Sequence, residues 1–132
     1  MARQLPWVGY LTLGPEPYLT AQECQSCGAL FFDRRNACAS CGGRRFAGRR
    51  LASDGVLRAF TIVHRATPEV TVPYISAIVD LDGGGVVKAN LVGVEPDPAQ
   101  VRLGMRVTLT TFTAGTDSEG TEAVSFGYRP AD

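Results

Sequence analysis

Cys24, Cys27, Cys38 and Cys41 are the only cysteines in the chain, and they form two C-x2-C pairs with ten residues between them. Two close pairs joined by a hairpin-length loop can bring four sulfurs to the corners of a tetrahedron, the geometry of a closed structural Zn2+ site. A glycine follows each pair, Gly28 after Cys27 and Gly42-Gly43 after Cys41. Knuckles of this kind turn backbone N–H groups toward the thiolates, and glycine permits the tight turn. The spacing therefore predicts one Zn2+ per chain, held by all four thiolates with no open position. Two disulfides would instead need an oxidising compartment. The start of the sequence, Met1 to Pro6, lacks the apolar core of a signal peptide. A redox Cys-x-x-Cys would open a helix within an alternating strand–helix pattern, which this sequence does not offer. An iron–sulfur cluster is a further use of four thiolates. The expected address is cytoplasmic, since no apolar run approaches the roughly 20 residues that span a bilayer.

Beyond the cysteines the chain reads as β-structure. Residues 1–20 hold Pro6, Pro15 and Pro17 among apolar residues such as Trp7, Tyr10 and Leu11. Prolines at that density exclude a long helix. This arm either packs on its own domain or docks a partner. Residues 21–52 form the ribbon, with a short strand at Ala29–Phe32 and a turn at Arg34-Arg35-Asn36. Residues 53–132 carry five strand patterns. Val56–Val63 is rich in β-branched and aromatic residues, and Ile75, Ala77, Val79 and Leu81 alternate with their neighbours. Asp82-Gly83-Gly84-Gly85 is a hairpin signal before Val86–Val94. Strands at Val107–Thr113 and Glu122–Tyr128 follow, after a longer connection near 95–104. Five strands with one long connection suit a Greek-key barrel of the oligonucleotide/oligosaccharide-binding (OB) type. The expected fold is mainly β, a rubredoxin-like zinc ribbon followed by a five-stranded OB barrel.

The chain has 13 basic and 13 acidic residues, unevenly placed. Residues 1–52 hold seven Arg against three acids; residues 53–132 hold six Lys or Arg against ten acids. Four thiolates around one Zn2+ contribute −2, so the first part carries about +2 and the barrel stays acidic. A nucleic-acid binder would carry its basic footprint there. His64 is the only histidine and has no nucleophile near it in sequence. The thiols are committed to metal, and Gly83-Gly84-Gly85 precedes a strand and so cradles no phosphate. No catalytic residue is assigned.

The arginines say more. Arg34, Arg35, Arg44, Arg45, Arg49 and Arg50 come as three pairs within seventeen residues. They make either a solvated face or a site for phosphates or an acidic partner, because the guanidinium fork fits phosphate bidentately.

The order of these features resembles a known family. A ribbon with arginine after its first strand leads to Gly55 and Phe60-Thr61-Ile62-Val63, then Val72-Pro73-Tyr74 and Ala77–Leu81. Leu103–Val107 and Phe126–Pro130 complete the set. It is similar to the zinc-ribbon plus OB-fold proteins known as domain of unknown function 35, over roughly residues 18–130. Where many relatives have proline before the second cysteine pair, this chain has Ala37.

The resemblance implies an accessory subunit or domain of a thiolase-like enzyme acting on acyl-CoA. It looks most like the branch serving a steroid side-chain retro-aldolase. That implies a lipid-transfer-protein-like aldolase partner in a heterotetramer, with a coenzyme A thioester as ligand of the complex. The six arginines are then expected to meet CoA phosphates or the partner. The alternative reading is a nucleic-acid-binding ribbon/OB module, with Phe60, Tyr74, Phe112, Phe126 and Tyr128 as candidate stacking groups unless they are core.

Overall fold

The computed structural model describes residues 3–32 and 36–131. Of the turn expected at Arg34-Arg35-Asn36, Arg34 and Arg35 lie outside the described residues. The described elements are strands: β1 Gln4–Pro6, β2 Leu11–Thr12, β3 Tyr18–Cys24, β4 Leu30–Phe31, β5 Phe46–Arg50, β6 Asp54–Val63, β7 Tyr74–Leu81, β8 Val86–Leu91, β9 Arg106–Thr116 and β10 Glu122–Pro130.

Strands β6 to β10 close a barrel in the order β6-β7-β8-β10-β9, with β9 returning to β6. All contacts are antiparallel except β8–β10, which pair in parallel at Asn90↔Gly127 and Leu91↔Tyr128. That one parallel joint closes the OB barrel and leaves β6–β10 without a long free edge. The period-two pattern of β7 sets the inside: Ile75, Ala77, Val79 and Leu81 are buried, while Tyr74, Ser76, Ile78 and Asp80 face outward. A bulge between Leu57 and Ala59 shifts the register on β6. Leu57 therefore points in before the bulge, and Phe60 and Ile62 pack on the core after it. In the connection between β8 and β9, Val101 is buried against the core, and Gly104 N–H bonds to the Leu57 carbonyl at 2.7 Å.

The ribbon is smaller. Strand β3 pairs with β4 on one side and with β5 on the other. It starts at Tyr18, inside the stretch read as the arm, and ends on Cys24, the first of the four cysteines. Leu19 and Ala21 on β3, Leu11 on β2 and Leu51 beyond β5 enter the same core as the barrel residues. The hairpin after Leu81 lies on the ribbon: Arg49 donates to Glu23 at 2.9 Å and also to the carbonyl of Gly83. One guanidinium thus ties both ribbon strands to the β7–β8 turn. On the same turn Asp82 receives Arg106 Nη1 at 2.9 Å.

Arg106 donates hydrogen bonds to Asp82, and this holds its carboxyl below the usual carboxylate range. A depressed folded-state pKa gives a contribution present above the unfolded pKa and lost as pH falls through the folded one. Arg106→Ala should return the Asp82 carboxyl titration, followed by its 13C shift, to the ordinary range. An unmoved titration would show that another group holds it down.

Candidate metal centre

The two cysteine pairs are built alike. In the first, Cys24 N–H bonds to Ala29 O at 2.8 Å, and Gly28 N–H returns to Cys24 O at 2.9 Å. In the second, Cys38 N–H bonds to Gly43 O at 2.7 Å, and Gly42 N–H returns to Cys38 O at 2.8 Å. Gly28 and Gly42 both adopt left-handed backbone, with φ of 82° and 79°, a region costly for residues with a Cβ. The same six-residue loop is therefore used twice. It buries the first cysteine of each pair, Cys24 and Cys38, and exposes the second, Cys27 and Cys41.

The four sulfurs lie within 4.8 Å of one another. Cys24–Cys41 and Cys27–Cys38 approach to 3.6 Å, so the pairs interleave. A tetrahedral Zn–S distance of about 2.3 Å implies sulfurs about 3.8 Å apart, close to this spacing. Backbone donors converge as well: Ser40 N–H meets Cys38 Sγ at 3.3 Å, and Gly43 N–H meets Cys41 Sγ at 3.4 Å. A Cβ on Gly43 would stand 3.3 Å from both Cys24 Sγ and Cys41 Sγ, so the backbone hugs the cluster.

The electrostatics match a cation. Hydrogen bonds from the N–H groups of Cys27 and Ser26 pull Cys24 down to about 6. Burial opposes ionisation of Cys38, but the N–H groups of Cys41 and Ser40 outweigh it and lower its pKa. Gly43 N–H favours the Cys41 thiolate, yet its contacts with Cys27 and Cys24 push it up to about 12. Thiolates this close repel, and a divalent ion at their centre lets all four ionise together. The residues fit a structural Zn2+ with four protein ligands. Such a site has no place for a water nucleophile.

The other expected residues separate. Arg49 is held by Glu23 and Gly83, and Arg50 stacks over the Tyr18 ring at 4.0 Å. Arg44 and Arg45 are exposed between the second knuckle and β5, with no ion pair among the described residues. Arg34 and Arg35 lie outside the described residues. Of the aromatic residues considered for base stacking, Phe126 and Tyr128 are buried and Phe60 packs against the core. Tyr74 and Phe112 remain partly open to solvent.

One feature escaped the sequence reading. The outward faces of β6, β7 and β8 form a groove of about 380 Å3 that includes Thr61, Tyr74, Ser76, Ile78 and Lys88. Lys88 is the only lysine of the chain. The alternation of Tyr74, Ser76 and Ile78 was its signal; without the β6 bulge, its partners on β6 could not be placed.

The family models for the ChsH2 rubredoxin-like zinc ribbon domain and the ChsH2 C-terminal OB-fold domain match residues 12–47 and 48–112. A DUF35 domain-containing scaffold protein of Pyrococcus furiosus is 31% identical over 115 residues, 85% of this chain and 82% of that protein. The chain belongs to the DUF35 zinc-ribbon and OB-fold family. A DUF35 scaffold protein of Methanocaldococcus jannaschii is 26% identical, covering 84% of this chain and 79% of its own length. A probable enoyl-CoA hydratase alpha subunit of Thermomonospora curvata is 32% identical over 86% of this chain. This chain spans only 34% of that longer relative. Among solved DUF35 structures, the chain is similar to one described as an Ltp2-ChsH2(DUF35) aldolase. The TM-score is 0.70 at 28% identity, covering 87% of this chain and 86% of that one.

Proposed function

We propose that this DUF35 chain is the non-catalytic accessory subunit or domain of a thiolase-like acyl-CoA enzyme. The partner's reaction is a retro-aldol cleavage of a steroid side-chain acyl-CoA, and two copies join a partner homodimer as a heterotetramer. The observation that carries this reading is the likeness of ribbon and barrel together to the Ltp2-ChsH2(DUF35) aldolase. The relatives named as scaffold proteins support an assembly role. Cys24, Cys27, Cys38 and Cys41 hold one Zn2+ that fixes the ribbon, and the barrel presents the surfaces for assembly. Four reduced thiols suit a reducing compartment, so the cytoplasm is the proposed address.

Within this proposal, Arg44 and Arg45 meet the phosphates of coenzyme A or acidic groups of the partner. They are the exposed ribbon arginines with neither an ion pair nor a ring contact among the described residues, whereas Arg50, equally exposed, stacks on Tyr18. Their forked donors match phosphate geometry. Arg44→Ala with Arg45→Ala should raise the apparent KM for acyl-CoA or weaken assembly several-fold, with zinc content unchanged. Unaltered kinetics and assembly would make this pair a solvated face.

The whole reading is tested by producing the chain with the thiolase-like subunit of its own organism. A stoichiometric complex that cleaves acyl-CoA is the expected result. Aldol cleavage by this chain alone, or no complex at all, overturns the accessory role.

A further inference from the structure

The arm before residue 12 precedes the stretch that the family models match. It forms an extra strand, β1, parallel to β10, with Leu5 opposite Ala123. Two backbone bonds pin it: Glu122 N–H to Arg3 O and Trp7 N–H to Val124 O, both 2.7 Å. Leu11 then turns into the core at 3% exposure, while Val8 and Tyr10 pack beside it. The arm is thus fixed at both ends, yet Leu5 stays 46% exposed and Trp7 63% exposed. Trp7 is the only tryptophan of the chain.

Leu5 and Trp7 border a cleft of about 300 Å3 whose other wall is the β9–β10 hairpin at Gly115, Thr116 and Ala123. The rim of that hairpin is acidic. Asp117, Glu119 and Glu122 fall within six residues, and no Lys or Arg occurs from residue 107 to 128. The Asp117 carboxylate accepts from the N–H groups of Glu119 and Thr121, each at 2.9 Å. Glu122 accepts from Gln4 Nε2 at 2.9 Å. Neither carboxylate is ion-paired among the described residues. Arg3 is the cation on the arm itself.

We infer that this cleft is a docking surface for a basic, apolar segment of the partner subunit, with Trp7 as its anchor. The inference rests on the partner proposed above. An arginine or lysine stem laid on the indole gains a cation–π contact, and its charge then reaches Asp117 or Glu122. Tryptophan is the side chain most enriched among residues that dominate interface energies. Charge decides against a second copy of this chain, because a two-fold contact would bring the same carboxylates face to face. Strand addition at β1 is blunted too, since Pro6 on that edge has no N–H to offer.

The test uses the full chain with 5-fluorotryptophan at its single tryptophan, titrated with the thiolase-like subunit. The 19F resonance of Trp7 should shift on complex formation. Trp7→Ser should weaken the complex about thirtyfold or more. Glu122→Lys should weaken it severalfold and flatten its salt dependence. Zinc content and circular dichroism should be unchanged in both variants, since neither side chain is buried. A complex that both variants leave at wild-type affinity, with an unmoved 19F resonance, overturns the docking surface while the accessory role stands. No complex with the wild-type chain overturns both, and a 19F shift that grows with concentration of this chain alone assigns the cleft to self-association and overturns the inference.

Discussion

Cys38→Ser should abolish metal binding and unfold the ribbon while the barrel persists. Cys38 is one of the two buried ligands, and its sulfur sits 3.6 Å from Cys27. Serine offers a hard, poorly acidic oxygen where a thiolate is required. Strands β4 and β5 bring only seven residues to the sheet around β3, with Leu30, Phe31 and Phe46 merely half-buried. So little buried apolar surface cannot offset the ordering of the chain, and metal affinity is the folding free energy of such a module. Metal analysis should fall from one equivalent of zinc to near zero. Hydrogen exchange at Gln22, Glu23 and Ala47 should rise toward unprotected rates. Protection at Val79 and Val107 on barrel strands should survive, because β6 to β10 close on one another by their own pairing. Retention of a full zinc equivalent would refute the closed four-thiolate site.

The ribbon was legible because its chemistry is local. Two C-x2-C pairs followed by glycines specify two identical turns, and Gly28 and Gly42 take the positive φ that the spacing requires. Strand β7 was legible for a similar reason: one face must be apolar, so alternation appears in the sequence and in the burial. The Asp82–Gly85 turn also read correctly, with Gly83, Gly84 and Gly85 all at positive φ. Non-local pairing was not legible. Strand β1 is three residues long and exists only because β10 lies beside it, far along the chain. Strand β5, Phe-Ala-Gly-Arg-Arg, has no apolar alternation and takes its conformation from β3. Strand β8 ends at Leu91 rather than Val94, because Gly93, at a φ of 74°, turns the chain out of extended backbone. Strand β9 runs on to Thr116, drawn out by its pairing with β10.

The candidate surfaces divide along the same line. Zinc ligands follow from residue type and spacing. The arginines were visible as a cluster, but only the fold separates Arg49, engaged with Glu23 and Gly83, from exposed Arg44 and Arg45. Trp7 was visible as an odd aromatic residue in a proline-rich arm. Its exposure beside the carboxylates of Asp117 and Glu122 depends on a β1–β10 pairing that local sequence does not encode.

Gly55→Ala should be the most damaging change in the barrel, through contact rather than conformation. Its backbone does not adopt positive φ. A Cβ there would lie 2.3 Å from the carbonyl oxygen of Asp80 and 3.0 Å from Val79 Cγ1. Neither can step aside. Gly55 pairs with Leu81 on one side and Val107 on the other, and Asp80 is itself paired to Val86 on β8. Relief requires parting β6 from β7 near the point where the ribbon meets the barrel. Overpacking of a closed core costs about 1–3 kcal/mol, and a clash against backbone belongs at the top of that range. For a chain of this length that is roughly 10 °C in Tm. Gly48→Ala is the control: its Cβ would meet only Thr20 Cγ2, at 3.7 Å, an ordinary contact. Calorimetry should separate the two variants by most of that interval, with one zinc retained in each. If Gly55→Ala melts with Gly48→Ala, β6 and β7 do not approach as closely as this register requires.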